Sequence, residues 1–178
     1  SGDRRTRPMK DRVREAVFNL LGPGVAGKHA IDLFAGSGAL GLEALSRGAA
    51  WATFIEQHFP TAALIRENAA QLGVADRCDV LPANAFIWAQ MQTSLDDRPW
   101  VVFCSPPFAF FIDRQAEMLA LIERLLDRSP PESDFVIESD KGFDVGLLSR
   151  AGAWDIREYP PAVVALYRKA ARPTPPAD

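Results

Sequence analysis

An apolar run over residues 29–34 passes directly into a loop with glycines at 36, 38 and 41, and from there into a helical stretch over 39–46. When a strand turns straight into a helix, the helix carries the chain back across the sheet face, so the next strand runs parallel to the first. The rest of the chain repeats that unit. Strands are expected at 51–55, 77–81, 100–104 and 135–138, separated by helices at 60–72 and 113–128 and a weaker one after 81. On the core side of the 113–128 stretch stand Met118, Leu119, Leu121, Ile122, Leu125 and Leu126. An amphipathic helix over 9–21, with Val13, Val17, Leu20 and Leu21 at helical spacing, precedes them and stops at Gly22-Pro23-Gly24. A helix over 144–150 is expected before two final strands, 154–159 and 163–168. The few residues around Pro160-Pro161 leave no room for a crossover, so these two strands form an antiparallel hairpin. The pattern predicts an α/β fold: a doubly wound, seven-stranded, mostly parallel sheet with an antiparallel hairpin at its C-terminal edge.

At 178 residues, with 48% apolar side chains, the chain suits one domain with a real core. We expect a basic arm over 1–8, the domain over 9–170 and a Pro-rich disordered tail over 171–178. Two cysteines (Cys78, Cys104) and two histidines (His29, His58) support neither a disulfide framework nor a four-ligand zinc site, so no metal is expected. No apolar run reaches the roughly 20 residues of a membrane span, and no signal peptide opens the chain; a cytoplasmic location is expected. The net charge is −3, which excludes a uniformly basic nucleic-acid binder. It is unevenly spread: Arg4, Arg5, Arg7, Lys10, Arg12 and Arg14 against Asp3 and Asp11 make residues 1–14 net +4, leaving −7 on the remainder. This suits a phosphate-contacting arm on an acidic body, or a solvated terminus. The opening Ser1-Gly2 reads as a truncated start.

Gly36, Gly38 and Gly41 satisfy the spacing GxGxxG between a strand and a helix, where backbone can approach a ligand and the helix amides are unsatisfied. Glu56 ends the second strand, where an acid would grip a ribose diol. Three readings fit: an NAD site, an S-adenosylmethionine (SAM) site, and a glycine turn with no ligand. Asp32 favours SAM. A carboxylate there is unhelpful beside a pyrophosphate and suits the ammonium of a methionine moiety, directly or through water.

After the fourth strand comes Ser105-Pro106-Pro107-Phe108, at the carboxyl edge of the sheet. Two prolines stiffen the turn and leave carbonyls as fixed acceptors beside an aromatic ring. Acceptors that hold N–H groups and a ring that stacks suit an exocyclic amine on a flat base. The bland alternative is a strand terminator with a core Phe.

Both motifs resemble those of the amino-methyltransferases, whose fourth-strand signature is (Asp/Asn/Ser)-Pro-Pro-(Tyr/Phe/Trp). The closer resemblance is to the bacterial 16S ribosomal RNA guanine-N2 methyltransferases of the RsmD family. Residues 7–21, RPMKDRVREAVFNLL, look like that family's opening signature, and residues 32–48 are close to its first motif. The resemblance covers residues 7–168. It departs at Met9, where the family usually has Thr, at Ser105-Pro106-Pro107-Phe108, where it usually has Asp-Pro-Pro-Tyr, and at Asn84, where an Asp often meets the adenine amine. The last two changes lower the negative charge of the site.

The resemblance implies methyl transfer from SAM to the exocyclic amine of a nucleobase, guanine N2 in small-subunit ribosomal RNA. Asp32, Gly36, Gly38, Glu56 and Asn84 would hold SAM, with Phe34, Ala35, Ser37, Gln57 and Ala85 flanking them. Ser105, Pro106, Pro107 and Phe108 would hold the amine and stack on the base, and Arg7, Arg12 and Arg14 would contact phosphate. Arg12 and Arg14 also fit a helix face paired with acids such as Glu15. The partner would be ribosomal RNA or a small-subunit assembly intermediate, met by a monomer. An NAD-dependent oxidoreductase and a non-catalytic RNA-binding or assembly module remain rivals. Asn68, His29 and His58 read as capping, structural or exposed, and Phe110 and Phe111 as pocket, core or lid.

Overall fold

The computed structural model describes residues 6–91 and 95–177, and side chains from residue 10 onward. A seven-stranded sheet lies between two layers of helices. In chain order the elements are α1 (Thr6–Leu21), β1 (His29–Asp32), α2 (Ala39–Ser46), β2 (Trp51–Ile55), α3 (Phe59–Gln71), β3 (Cys78–Leu81), α4 (Ala85–Met91), β4 (Trp100–Cys104), a one-turn α5 (Phe110–Asp113), α6 (Gln115–Arg128), β5 (Asp134–Asp140), β6 (Asp155–Tyr159) and β7 (Ala162–Arg168). The sheet order is β3-β2-β1-β4-β5-β7-β6. The first five strands are parallel, and β7 runs antiparallel between β5 and β6.

The alternation of β4 shows how the sequence builds both layers. Val101 and Phe103 face a core shared with Val13, Val17 and Phe18 of α1 and Ile65 of α3. Trp100, Val102 and Cys104 face the opposite core, with Met118, Ile122 and Leu125 of α6. A strand whose residues all bury, alternately into two cores, reads as a continuous apolar run, as β4 does; β1 is equally buried but carries His29 and Asp32. β6, at the edge, is mostly exposed and carries Asp155, Arg157 and Glu158, charges that discourage a further strand from adding.

The chain winds outward from β1 through β2 to β3, then crosses back to β4 and winds the other way. β1 and β4 are therefore the switch point, where the connections leave in opposite directions and open a crevice at the carboxyl ends. Asp32 pairs in register with Phe103, so the loop after β1 and the turn after β4 emerge side by side.

Several expected bounds move. The helix expected at 144–150 is only a 3-10 turn, Val145–Leu147. There Asp144 accepts from the Gly146 amide at 2.9 Å and Arg150 has φ of +62°, so local side-chain bonding and a left-handed residue replace a helix. The first strand ends at Asp32, giving Leu33 and Phe34 to the loop. β5 extends to Asp140 because β7 pairs with it that far. The helix expected at 113–128 breaks at Arg114 (φ −129°, ψ 35°). α1 begins at Thr6, three residues earlier than expected. Residues 170–177 form no regular element and are exposed.

Candidate active site

The loop after β1 is shaped by three glycines with three different jobs. Gly36 has φ of +55°, and a Cβ there would meet no atom within 4 Å: the backbone needs glycine to turn, and open space lies over it. Gly38, with φ of +79°, caps α2 and packs against Ile65 and Phe54. Gly41 lets α2 lie on β2, since a Cβ there would overlap the Phe54 ring.

Two carboxylates brace this loop. Glu56, at the end of β2, accepts from the Gly36 amide at 2.8 Å with one oxygen and from the His58 amide at 3.1 Å with the other. It joins loop and strand end while lining a cavity. Asp32 is 1% exposed, and its Oδ2 accepts from the Gly41 amide at 3.1 Å. Burial pushes its pKa up to about 7 against that amide bond, and the charge of Glu56 adds to the rise. Asp32 thus lies beneath the loop, braced against the start of α2, rather than on a cavity wall.

Two cavities meet at the switch point. The smaller, of about 250 Å³, is walled by Phe34, Gly36, Glu56, Gln57, Asn84, Ala85, Phe86, Phe110 and Arg114. The larger, of about 490 Å³, is walled by Lys10 and Arg14 of α1, by Ala39 and Leu40, by Pro106 and Phe108, and by Glu138. Phe34, Gly36, Ser105 and Pro107 line both. The glycine loop and the proline turn therefore share one wall.

Of the residues expected around the first ligand, Phe34, Gly36, Glu56, Gln57, Asn84 and Ala85 reach the smaller cavity. Ala35 and Gly38 are buried, and Ser37 is exposed on the outer side of the loop. Asn84 has a prior commitment. Its Oδ1 accepts from the Phe86 and Ile87 amides at 2.9 and 3.2 Å, capping α4, and its Nδ2 donates to Gln57 Oε1 at 3.3 Å. The Asn84 carbonyl, standing where the family often has an Asp for the adenine amine, is thus engaged by α4. Phe34, Phe86 and Phe110 cluster at ring distances of 5.9 to 6.3 Å, with the Arg114 guanidinium 4.3 Å from the Phe86 centroid.

In the proline turn, Pro107 O accepts from the Phe110 amide at 2.9 Å, so one of the two carbonyls expected to face outward closes the turn instead. Ser105 Oγ donates to Glu138 Oε2 at 3.0 Å. Burial raises the Glu138 pKa; the Ser105 bond and the charge of Lys10 pull the other way. Of the arginines, Arg14 reaches the larger cavity while holding Asp11 at 3.2 Å, whereas Arg12 lines a separate groove with Asn19, Glu158 and Tyr159. The Arg7 side chain lies outside the described residues. His29 is buried against Thr53, and His58 is exposed and bonded to Thr61.

A family model described as "Conserved hypothetical protein 95" matches residues 1–155. Ribosomal RNA small subunit methyltransferase D of Escherichia coli (strain K12) is 35% identical over 162 residues, covering 91% of this chain and 77% of that protein. The chain belongs to this methyltransferase family. Among solved structures, yhhF from Escherichia coli superposes with a TM-score of 0.73 at 33% identity, covering 91% of this chain and 88% of that one. The Thermus thermophilus 16S rRNA N2 G1207 methyltransferase, solved with AdoMet and guanosine, shares the fold: TM-score 0.68 at 21% identity, over 87% of this chain and 41% of that one. Among the described residues, no helix is long and apolar enough to cross a membrane, and no cluster of His, Cys, Asp or Glu could hold a metal.

Three residues line the site beyond those expected in it: Lys10, counted above only toward the basic arm, Glu138 and Arg114. Lys10 could have been found from its spacing: it stands one helical turn before Arg14, beside inward-facing Val13 and Val17. Glu138 was visible as an acid at the carboxyl end of a buried strand, where ligands of such sheets bind. Arg114 had no such signal, because its position follows from a helix break.

Proposed function

We propose that this chain transfers a methyl group from SAM to the exocyclic amine of a nucleobase, guanine N2 of small-subunit ribosomal RNA. The observation that carries this is the wall shared by the two cavities. There the pocket lined by Glu56 adjoins the Ser105-Pro106-Pro107-Phe108 turn, which supports a cofactor beside Glu56 and a base beside Phe108. The name of the Escherichia coli relative supports the substrate class.

Open space above Gly36 and an acid at the end of β2 fit SAM. Glu56 has lone pairs left for the ribose diol after its two amide bonds. Gln57, Asn84 Nδ2, Ala85 and Phe34 face the base end, while Asp32, Ala35, Ser37 and Gly38 hold the loop. When bound, SAM would supply an electrophilic methyl, the C–S bonding pair staying on sulfur as the amine lone pair forms the N–C bond. The residues of the chain do the rest by position. Ser105 and the Pro106 carbonyl accept from the amine and turn its lone pair toward the smaller cavity. Phe108 stacks on a base presented unpaired. Lys10 and Arg14 meet phosphate, and a cytoplasmic monomer suffices for this chemistry.

Calorimetric titration with SAM, S-adenosylhomocysteine and NAD tests the reading, followed by transfer of radiolabelled methyl to unmethylated small subunits. Binding of the first two with turnover is expected. NAD binding alone would overturn it in favour of an oxidoreductase. SAM binding without turnover would favour a non-catalytic module.

A further inference from the structure

Where the family usually carries an Asp, this chain carries a neutral hydroxyl, and a hydroxyl is ambivalent: it can meet an amine as acceptor or oppose it as donor. Here the hydroxyl has one fixed task. Ser105 Oγ donates to Glu138 Oε2 at 3.0 Å, so only its lone pairs remain for the larger cavity that both residues line. Ser105 and Glu138 together thus offer the acceptor-only surface of a carboxylate, displaced by one hydrogen bond. We propose that Glu138 is a positioning residue for the amine: it fixes Ser105 as an acceptor and takes, through it, the proton the nitrogen releases. This rests on the methyl-transfer reading above.

The proton path balances. After methylation the nitrogen holds one proton too many. It gives that proton to Ser105 Oγ as the Ser105 proton moves to Glu138 Oε2. The amine ends neutral, the hydroxyl ends as it began, and the carboxylate becomes a carboxylic acid that returns its proton to solvent at the cavity mouth. The surroundings suit an acceptor that must be charged before the step and neutral after it. Lys10 and Arg14 of α1 face the same cavity, the cross-strand neighbour Val164 on β7 is apolar, and Gly36 and Phe34 bring no charge. Burial raises the affinity of Glu138 for a proton.

The test compares Glu138→Gln, Ser105→Ala and the double variant Ser105→Asp/Glu138→Gln with the parent chain. A Gln amide can donate to Oγ and turn the hydroxyl toward the amine. With calorimetric SAM affinity unchanged in Glu138→Gln, whose side chain lines only the larger cavity, kcat should fall about 10- to 100-fold in Glu138→Gln and in Ser105→Ala. It should recover to within about tenfold in the double variant, which returns a carboxylate to the turn. The acid limb of the kcat profile should vanish in Glu138→Gln. Independently of turnover, carbon-13 NMR of labelled glutamates should show Glu138 titrating above the others, and higher still in Ser105→Ala. Parental kcat in Glu138→Gln, or no recovery in the double variant, would overturn the proposal while leaving methyl transfer intact. Absence of turnover in the parent chain would overturn both.

Discussion

Asp32 is buried to 1% exposure, with the Gly41 amide donating to it at 3.1 Å and Glu56 nearby. Its folded pKa of about 7 stands above the ordinary value of 3.8, so the folded chain binds this proton more tightly than the unfolded chain does. The linkage runs opposite to that of an ion-paired Asp. The fold pays nothing for Asp32 below pH 3.8 and bears a growing cost as pH rises toward 7, on the order of 4 kcal/mol at the limit. Asp32→Asn keeps an acceptor for Gly41 and removes the charge. The difference in denaturation free energy, variant minus parent, should therefore rise between pH 4 and pH 8 and level off above it; a flat difference would refute the buried ionisation. Phe108 gives a second test at this scale. It lines the larger cavity and not the smaller. Phe108→Ala should leave SAM affinity unchanged and lower kcat/KM for RNA about 10- to 100-fold, the worth of one stacked base. Equal losses in SAM affinity would place the ring elsewhere.

Among the elements, α2 depends on glycines in two unlike ways, and substitution separates them. Gly41→Ala sets a methyl into the Phe54 ring and must push α2 off β2. Its cost should appear as about 1–3 kcal/mol of stability by chemical denaturation. Gly36→Ala meets no neighbour and pays only for φ of +55°, about 1–2 kcal/mol, but its methyl enters the cavity. The second variant should lose SAM affinity out of proportion to its stability, and the first should not. The elements themselves were legible where the signals are strong: α2 lies between Gly38 and Gly48, and β2 and β4 are apolar runs closed by Glu56 and by Ser105-Pro106, so all three lie at the expected bounds. The failures are local. Residues 144–150 carry helical spacing, but Asp144 bonds to Gly146 instead of starting a helix. Glu138 was read as the end of a strand. Its partner Ser105 is 33 residues away, and no periodicity reports a cross-strand hydrogen bond. Asn84 is expected to hold SAM, yet a helix begins at the next residue, and an Asn before a helix start is an N-cap first.

For the whole molecule, the sheet order decides where charge can act. Asp134, fully buried, is held by Lys28 at 2.7 Å and Arg168 at 2.6 Å, tying the entry to β1, the start of β5 and the end of β7 into one body. Those cations are spent on the fold. α1 is different: it lies across the mouth of the switch point and offers Lys10 and Arg14 to the larger cavity. In a chain of net charge −3, the pair on α1 is a cationic feature beside the proline turn, so RNA docked there would meet phosphate through Lys10 and Arg14. Each phosphate neutralised by a side chain steepens the fall of log affinity with log salt by about 0.7–0.9. Lys10→Ala and Arg14→Ala should each flatten that slope by about that amount, and together by about 1.5, measured by RNA binding across a salt series. SAM affinity should not change, since neither residue lines the smaller cavity. Arg12→Ala supplies the internal comparison: its side chain lines another groove, with Glu158 and Tyr159, so its slope should match the parent's if RNA docks over the larger cavity. A full flattening from Arg12→Ala, with none from Lys10→Ala or Arg14→Ala, would move the RNA to the hairpin side of α1 and detach it from the proline turn.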